Sequence, residues 1–172
     1  MNTATIQVHA ASEAPLSSFP LERWYVAAFS SDIRDKPVGR TFLNQKVVLF
    51  RTGNGQIAAL EDRCCHRSLP LSCGTVEAEG VRCGYHGMLY APSGQCLEIP
   101  GQDRVPSKAC VKPYHVAEKN QIVWIWMPSV GGGAPTVEPP VYSPHDDPRY
   151  RFGSGMYHYN SPWQVIHDNL LE

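Results

Sequence analysis

The chain lacks any apolar run that approaches the ~20 residues of a membrane span. It also lacks a secretion signal: its start, MNTATIQVHAASEAPLSSFP, has no cationic stretch followed by an apolar one. Charge of one sign is missing too. Fifteen Lys and Arg stand against 16 Asp and Glu, the formal net charge is −1, and the basic residues are scattered. That excludes a phosphate-tracking surface and a membrane-binding basic face, so neither nucleic acid nor a membrane is expected as a partner. The expected location is the cytoplasm. Helical periodicity is nearly absent before residue 160. A chain of 172 residues, 42% of them hydrophobic, can bury one substantial core, or one complete domain and part of a second.

What the chain has is a series of short apolar runs separated by turn residues. RWYVAAF (23–29) has the length of a buried strand, and KVVLFRTGNGQIAAL (46–60) reads as two strands around Gly53, Asn54 and Gly55, which supply the positive backbone angles of a hairpin. MLYAPSGQCLEI (88–99) repeats the pattern around Pro-Ser-Gly, and KPYHVAEKNQIVWIWM (112–127) repeats it around a polar tip at 118–121. The expected fold class is therefore all-β, a small antiparallel sandwich or barrel. Residues 1–18 are expected to form a flexible arm, 19–129 the β domain, and 130–148, rich in Pro and Gly, a linker or surface crossover. Residues 149–172 then begin something new. YRFGSGMYHYN suggests a strand, and SPWQVIHDNLLE starts a helix with Ser161 as N-cap, Pro162 in the first helical position and Gln164 closing a capping box. Trp163, Ile166 and Leu170 share one face of that helix. It meets Glu172 with no C-terminal cap, as expected of a protein supplied in part.

Cysteine is present six times. An even number would suggest disulfides in a short secreted chain, but without a secretion signal metal ligation and inert thiols are the better readings. The segment CCHRSLPLSCGTVEAEGVRCGYHG (64–87) contains Cys64-x-His66, sixteen residues, and Cys83-x-x-His86. Zinc fingers group a cysteine pair and then a histidine pair, each gripping one ion. Here each loop contributes one of each kind, which suits two chemically unequal metals, one taking both thiolates and the other both imidazoles. A Rieske [2Fe–2S] cluster is such a centre. Cys65, Cys73, Cys96 and Cys110 are read as structural thiols, and His167 as a packed helical histidine. Gly74, Gly84 and Gly87 either let backbone N–H groups approach bridging sulfides or serve turn geometry alone.

The two loops, CCHRSLPLSCG and CGYHGMLYAPSGQC, resemble those of Rieske non-haem iron oxygenases, close to the vanillate O-demethylase-like branch. The resemblance runs from RWYVAAF through ALEDRCCHR and VWIWM into DNLLE, about residues 22–172. It implies that 19–129 is a Rieske [2Fe–2S] domain whose cluster is held by Cys64, His66, Cys83 and His86, and that 149–172 opens an α+β catalytic domain. It further implies an electron donor, either a reductase or a ferredoxin. The expected reaction is O₂-dependent hydroxylation or demethylation of an aromatic compound at a mononuclear Fe(II) whose ligands follow Glu172. Asn169 and Glu172 match the family's D-N-L-x-acid pattern, and Glu172 resembles the acid that links the cluster of one subunit to the iron of its neighbour, which calls for a homotrimer. In three places the chain departs from relatives. Cys65 replaces the usual proline of C-P-H. Tyr85 and Met88 stand where respiratory Rieske proteins carry a bracing cysteine and a hydroxyl residue. Fewer hydrogen bonds to the sulfurs then place the potential low in the Rieske range, roughly −150 to +300 mV. Two rivals remain at this stage: a stand-alone Rieske-type ferredoxin, which should end soon after VWIWM, and a structural zinc module.

Overall fold

The computed structural model describes residues 19–151, 153, 155 and 157–171. The strands are β1 (Arg23–Phe29), β2 (Val38–Phe42), β3 (Gln45–Arg51), β4 (Ile57–Glu61), β5 (Thr75–Glu77), β6 (Gly80–Arg82), β7 (Leu89–Tyr90), β8 (Cys96–Glu98), β9 (Pro113–Tyr114), β10 (Val116–Lys119) and β11 (Ile122–Met127). Among the described residues one α-helix, α1 (Trp163–Leu171), follows them. Three antiparallel sheets result, in the orders β1-β11-β10, β2-β3-β4-β9 and β5-β6-β7-β8.

The hairpin β3–β4 is the wall between two cores. Because successive strand residues point to opposite faces, Val48 and Phe50 of β3 and Ala58 and Leu60 of β4 enter one core, together with Cys64, Leu71, Cys83, Met88 and Tyr90. Val47, Leu49, Ile57 and Ala59 enter the other, which is closed by Ala27, Ile33, Val123, Ile125 and Met127. Burial on both faces explains why VVLF is unbroken instead of alternating.

The turns follow local chemistry. Of the three residues expected to carry positive angles between β3 and β4, only Gly55 does (φ 85°). Asn54 acts through its side chain instead: its Oδ1 accepts from the Thr52 hydroxyl at 2.5 Å and from the Gln56 N–H at 3.1 Å. β10 extends through Lys119, so the polar tip shrinks to Asn120 and Gln121, both with positive φ. Leu43 and Asn44 make the same kind of two-residue turn between β2 and β3.

After β11 the chain crosses the surface fastened by polar contacts. The Trp24 indole N–H donates to Val137 O at 2.7 Å, Asn120 Oδ1 accepts from the Tyr142 N–H at 2.8 Å, and the Gln121 amide donates to His145 O. No strand occurs among the described residues of 150–160. Aromatic content alone does not make a strand. α1 starts at Trp163, one residue later than the capping signal suggested. The Val165 N–H bonds to Pro162 O at 3.1 Å, and the Ser161 hydroxyl turns to Pro162 O instead of to an amide of the first turn. Among the described residues no helix is long and apolar enough to cross a membrane.

Candidate metal centre

The first loop leaves β4 and the second leaves β6, and both make one turn. In the first, the Cys64 N–H bonds to Leu69 O at 2.8 Å and the Ser68 N–H returns to Cys64 O at 2.9 Å. In the second, the Cys83 N–H bonds to Met88 O at 2.9 Å and the Gly87 N–H returns to Cys83 O at 3.2 Å. The fifth residue of each turn has a positive φ, 57° at Ser68 and 73° at Gly87. The histidine is third in the first turn and fourth in the second, so the two turns are alike in backbone and offset in side chain. The loops meet backbone to backbone: a Cβ on Gly74 would lie 1.9 Å from Arg82 O. Close approach of the two loops is thus why glycine stands at 74, a reason distinct from both sulfide approach and turn geometry.

The four side chains sort into two pairs. Cys64 and Cys83 are buried and interact with each other through their thiols. His66 and His86 are exposed and lie side by side, ring centroids 4.6 Å apart, with Tyr85 stacked 3.7 Å from His86. Burial pushes the Cys83 thiol up from its ordinary value, and backbone N–H groups of Tyr85 and His86 pull it partly back. Those N–H groups stabilise negative charge on sulfur, which a metal-bound thiolate carries. Among the described residues, no three His, Cys, Asp or Glu side chains converge on a point that could hold a single ion. An inner thiol pair and an outer imidazole pair do fit a two-iron, two-sulfide cluster, in which sulfides separate the metals.

Three neighbours of this site escape a reading of the sequence for ligands. The Tyr90 hydroxyl lies 3.1 Å from Cys64 Sγ and 3.2 Å from Cys65 Sγ. Burial, then the two thiols, push its phenol well above the usual range, so it stays protonated. It supplies to a sulfur the hydroxyl that Met88 does not, and its signal in the sequence is its place in the apolar run MLY, four residues after His86. Asp62 is buried, and its carboxylate accepts from the Ser72 N–H at 2.7 Å and the Ser72 hydroxyl at 2.6 Å, closing the first loop across its mouth. Arg82, next to Cys83, reaches Glu77, Glu98 and the Gly87 carbonyl. An acid two residues before one cysteine and a base one residue before the other were the available signals.

The remaining residues fall elsewhere. All six cysteines are free. Cys96 is buried, with its thiol on Glu98 O at 3.3 Å, whereas Cys73 and Cys110 are exposed. The His167 ring meets Trp163 edge to face at 5.3 Å and lines, with Phe19, Pro20, Tyr25 and Leu43, an apolar cavity of about 300 Å³. It is exposed and α1 buries no residue, so the ring contact and this cavity, not burial in a core, are what hold it, and the expected packing is only partial. Asn169 is exposed on α1, and Glu172 lies outside the described residues.

The family profile of the Rieske [2Fe-2S] domain matches residues 23–114, more than half of the chain. The chain belongs to the Rieske family. A Rieske domain carries a [2Fe–2S] cluster. Among curated relatives, the toluene-4-sulfonate monooxygenase system iron-sulfur subunit of Comamonas testosteroni is 46% identical over 150 residues, covering 87% of this chain and 43% of that protein. The vanillate O-demethylase oxygenase subunit of a Pseudomonas strain is 38% identical over 158 residues, covering 90% and 43%. The crystal structure of dicamba monooxygenase bound to dicamba superposes on this Rieske chain with a TM-score of 0.81 at 34% identity, over 87% of this chain and 45% of that one. The chain thus spans under half the length of the relatives it matches.

Proposed function

We propose that Cys64 and Cys83 hold one iron of the cluster, that His66 and His86 hold the other, and that the chain is the electron-transferring N-terminal part of the oxygenase component of a Rieske oxygenase system. The observation that carries this reading is the pairing of two buried thiols behind two exposed imidazoles on matching turns. When bound, the cluster accepts and releases one electron at a time. The chain's own residues do the rest. The buried thiolates fix the charge that stays inside, the Tyr85 and His86 N–H groups and the Tyr90 hydroxyl stabilise it, and the exposed imidazole edges offer the exit for the electron.

The domain reading follows: a Rieske domain over 19–129, a linker over 130–148, and the opening of a catalytic domain over 149–172. The likeness to oxygenase subunits supports it, because that likeness covers about 150 residues and so exceeds the 23–114 of the Rieske match. A stand-alone ferredoxin would have no reason for it, and a zinc module would need its four ligands to converge on one ion. In the full-length protein a reductase or ferredoxin supplies electrons, and an aromatic compound is hydroxylated or demethylated at a mononuclear Fe(II) held outside this chain. Asn169 and Glu172 are assigned to the approach to that iron, Glu172 as the bridge between subunits of a cytoplasmic homotrimer.

The test is the electron paramagnetic resonance spectrum of the reduced full-length protein. A red-brown protein with two cluster irons per Rieske domain and the anisotropic signal of a mixed-valence, nitrogen-ligated cluster is expected. Zinc at the site, or the signal of a four-cysteine cluster, would overturn the reading. Replacing Cys73, Cys96 or Cys110 with Ser should leave the cluster irons in place.

A further inference from the structure

We propose that Arg82 is a positioning and potential-setting residue of the cluster site: its guanidinium holds the carbonyl of Gly87, and with it the turn that carries His86, while its charge, opposed by Glu77 and Glu98, sets how readily the site takes an electron. This rests on the ligand assignment made above and extends it to a residue outside the ligand set.

The geometry is specific to the second loop. Arg82 Nε and Nη2 form a fork on the two oxygens of Glu77, at 2.5 and 2.9 Å, and Nη2 also reaches Glu98 Oε2 at 2.8 Å. That leaves Nη1, which donates to Gly87 O at 2.5 Å. One planar group therefore ties β5, β8 and the second turn together, and its fixed fork makes the geometry reproducible. Cys83 and His86 both lie between Arg82 and Gly87, so the two proposed ligands of this loop hang between the two ends of the clamp. In the matching first turn the residue before the cysteine is Arg63. Its side chain is 61% exposed, against 24% for Arg82, and it pairs with Glu61. Sequence position alone thus does not create the contact; the fork on Glu77 of β5 does, and Glu98 of β8 adds its charge.

The charge argument has a sign. An electron entering the site adds negative charge within reach of a group one peptide from His86. A guanidinium there favours the reduced state, and each carboxylate opposes it. Removing Arg82 leaves two acids unbalanced beside the site, whereas removing one acid leaves more of the positive charge uncompensated.

Three variants of the full-length, cluster-loaded protein separate position from charge, read by redox titration of the cluster signal and by amide hydrogen exchange of the peptide spanning 83–88. Arg82→Gln should lower the potential and speed exchange. Arg82→Lys keeps the charge without the fork, and should hold the potential near that of the unaltered protein while exchange still quickens. Glu98→Gln changes a half-exposed side chain and keeps the Glu77 fork, so it should raise the potential and leave exchange unchanged. Shifts of the same sign in Arg82→Gln and Glu98→Gln, or no shift in either, would overturn the assignment of Arg82. If the unaltered protein itself lacks the Rieske signal, the ligand reading falls first, so the two failures are distinguishable.

Discussion

From Cys64 to Leu69 and from Cys83 to Met88 the backbone runs through the same turn, with the same pair of closing hydrogen bonds and the same left-handed fifth residue. What fastens each turn is different. The first is closed by Asp62, whose buried carboxylate bonds twice to Ser72. The second is closed by Arg82, whose partners Glu77 and Glu98 are 39% and 51% exposed. A buried charge with both of its bonds made is expensive to disturb, because what remains after its removal is a set of unpaired polar groups away from water. An ion cluster whose acids are half exposed is weakened by solvent and salt, so its fork can position the turn while adding less stability than a buried closure. The same turn is therefore held rigidly on one side of the site and adjustably on the other. The one-residue offset of histidine is the other difference, and it is what lets two equal turns present their imidazoles side by side.

The comparison is tested most severely at Asp62. Asp62→Ala leaves the Ser72 N–H and hydroxyl without their charged acceptor and should destabilise the domain by roughly 3 kcal/mol, as expected for two hydrogen bonds to an ionised group. Asp62→Asn retains the shape and one acceptor and should cost about half as much. Urea denaturation of each variant, set beside Arg82→Gln, measures the asymmetry. If Asp62→Ala proves no more harmful than Arg82→Gln, burial is not what distinguishes the two loops.

A smaller effect is expected where the loops share a group. Tyr90 follows the second turn in sequence and serves the first, since its hydroxyl touches Cys64 and Cys65. With Cys64 as a thiolate, both contacts are satisfied when Tyr90 donates to Cys64 and the Cys65 thiol donates to Tyr90. Tyr90→Phe should therefore retain the cluster and lower its potential, because one hydrogen bond to a ligand sulfur is lost. A redox titration that finds the potential unchanged would remove Tyr90 from the electrostatics of the site.

How far this could be read without coordinates depends on the kind of interaction. Strands such as RWYVAAF and VWIWM announce themselves by apolar content, and Cys64, His66, Cys83 and His86 by residue type and spacing. Those features are local in the chain. The roles of Asp62, Arg82 and Tyr90 depend on contacts between loops, and Glu77 and Glu98 look like ordinary surface acids until the sheet order β5-β6-β7-β8 brings them to one guanidinium. Asn54 departs from expectation for a related reason, since an Asn in a Gly-rich turn can serve by its backbone angle or by its side chain and the sequence TGNG does not choose. The strand expected near 150–160 rests on composition alone, and Ser161 shows that a capping pattern fixes a helix start only to within a residue or so.

The smallest expected effect, and the one that isolates the adjustable loop, is its response to acid. The Arg82 hydrogen bond holds the Glu77 carboxyl below its ordinary value of 4.5. A carboxylate whose folded pKa is depressed contributes stability that is fully present above the unfolded value and is lost as pH falls through the folded one. The contribution of Glu77 should therefore be constant from neutral pH down to about 5 and fade below 4.5. Acid also protonates the proposed ligands, so the quantity to follow is the difference in unfolding free energy between the unaltered protein and Glu77→Gln at each pH. That difference should be small at neutral pH, shrink further in ~1 M salt, where screening acts over only about 3 Å, and vanish as Glu77 titrates. A difference that persists unchanged to pH 3 would mean that Glu77 acts through packing and not through its charge, and the contrast with the buried Asp62 closure would lose its electrostatic basis.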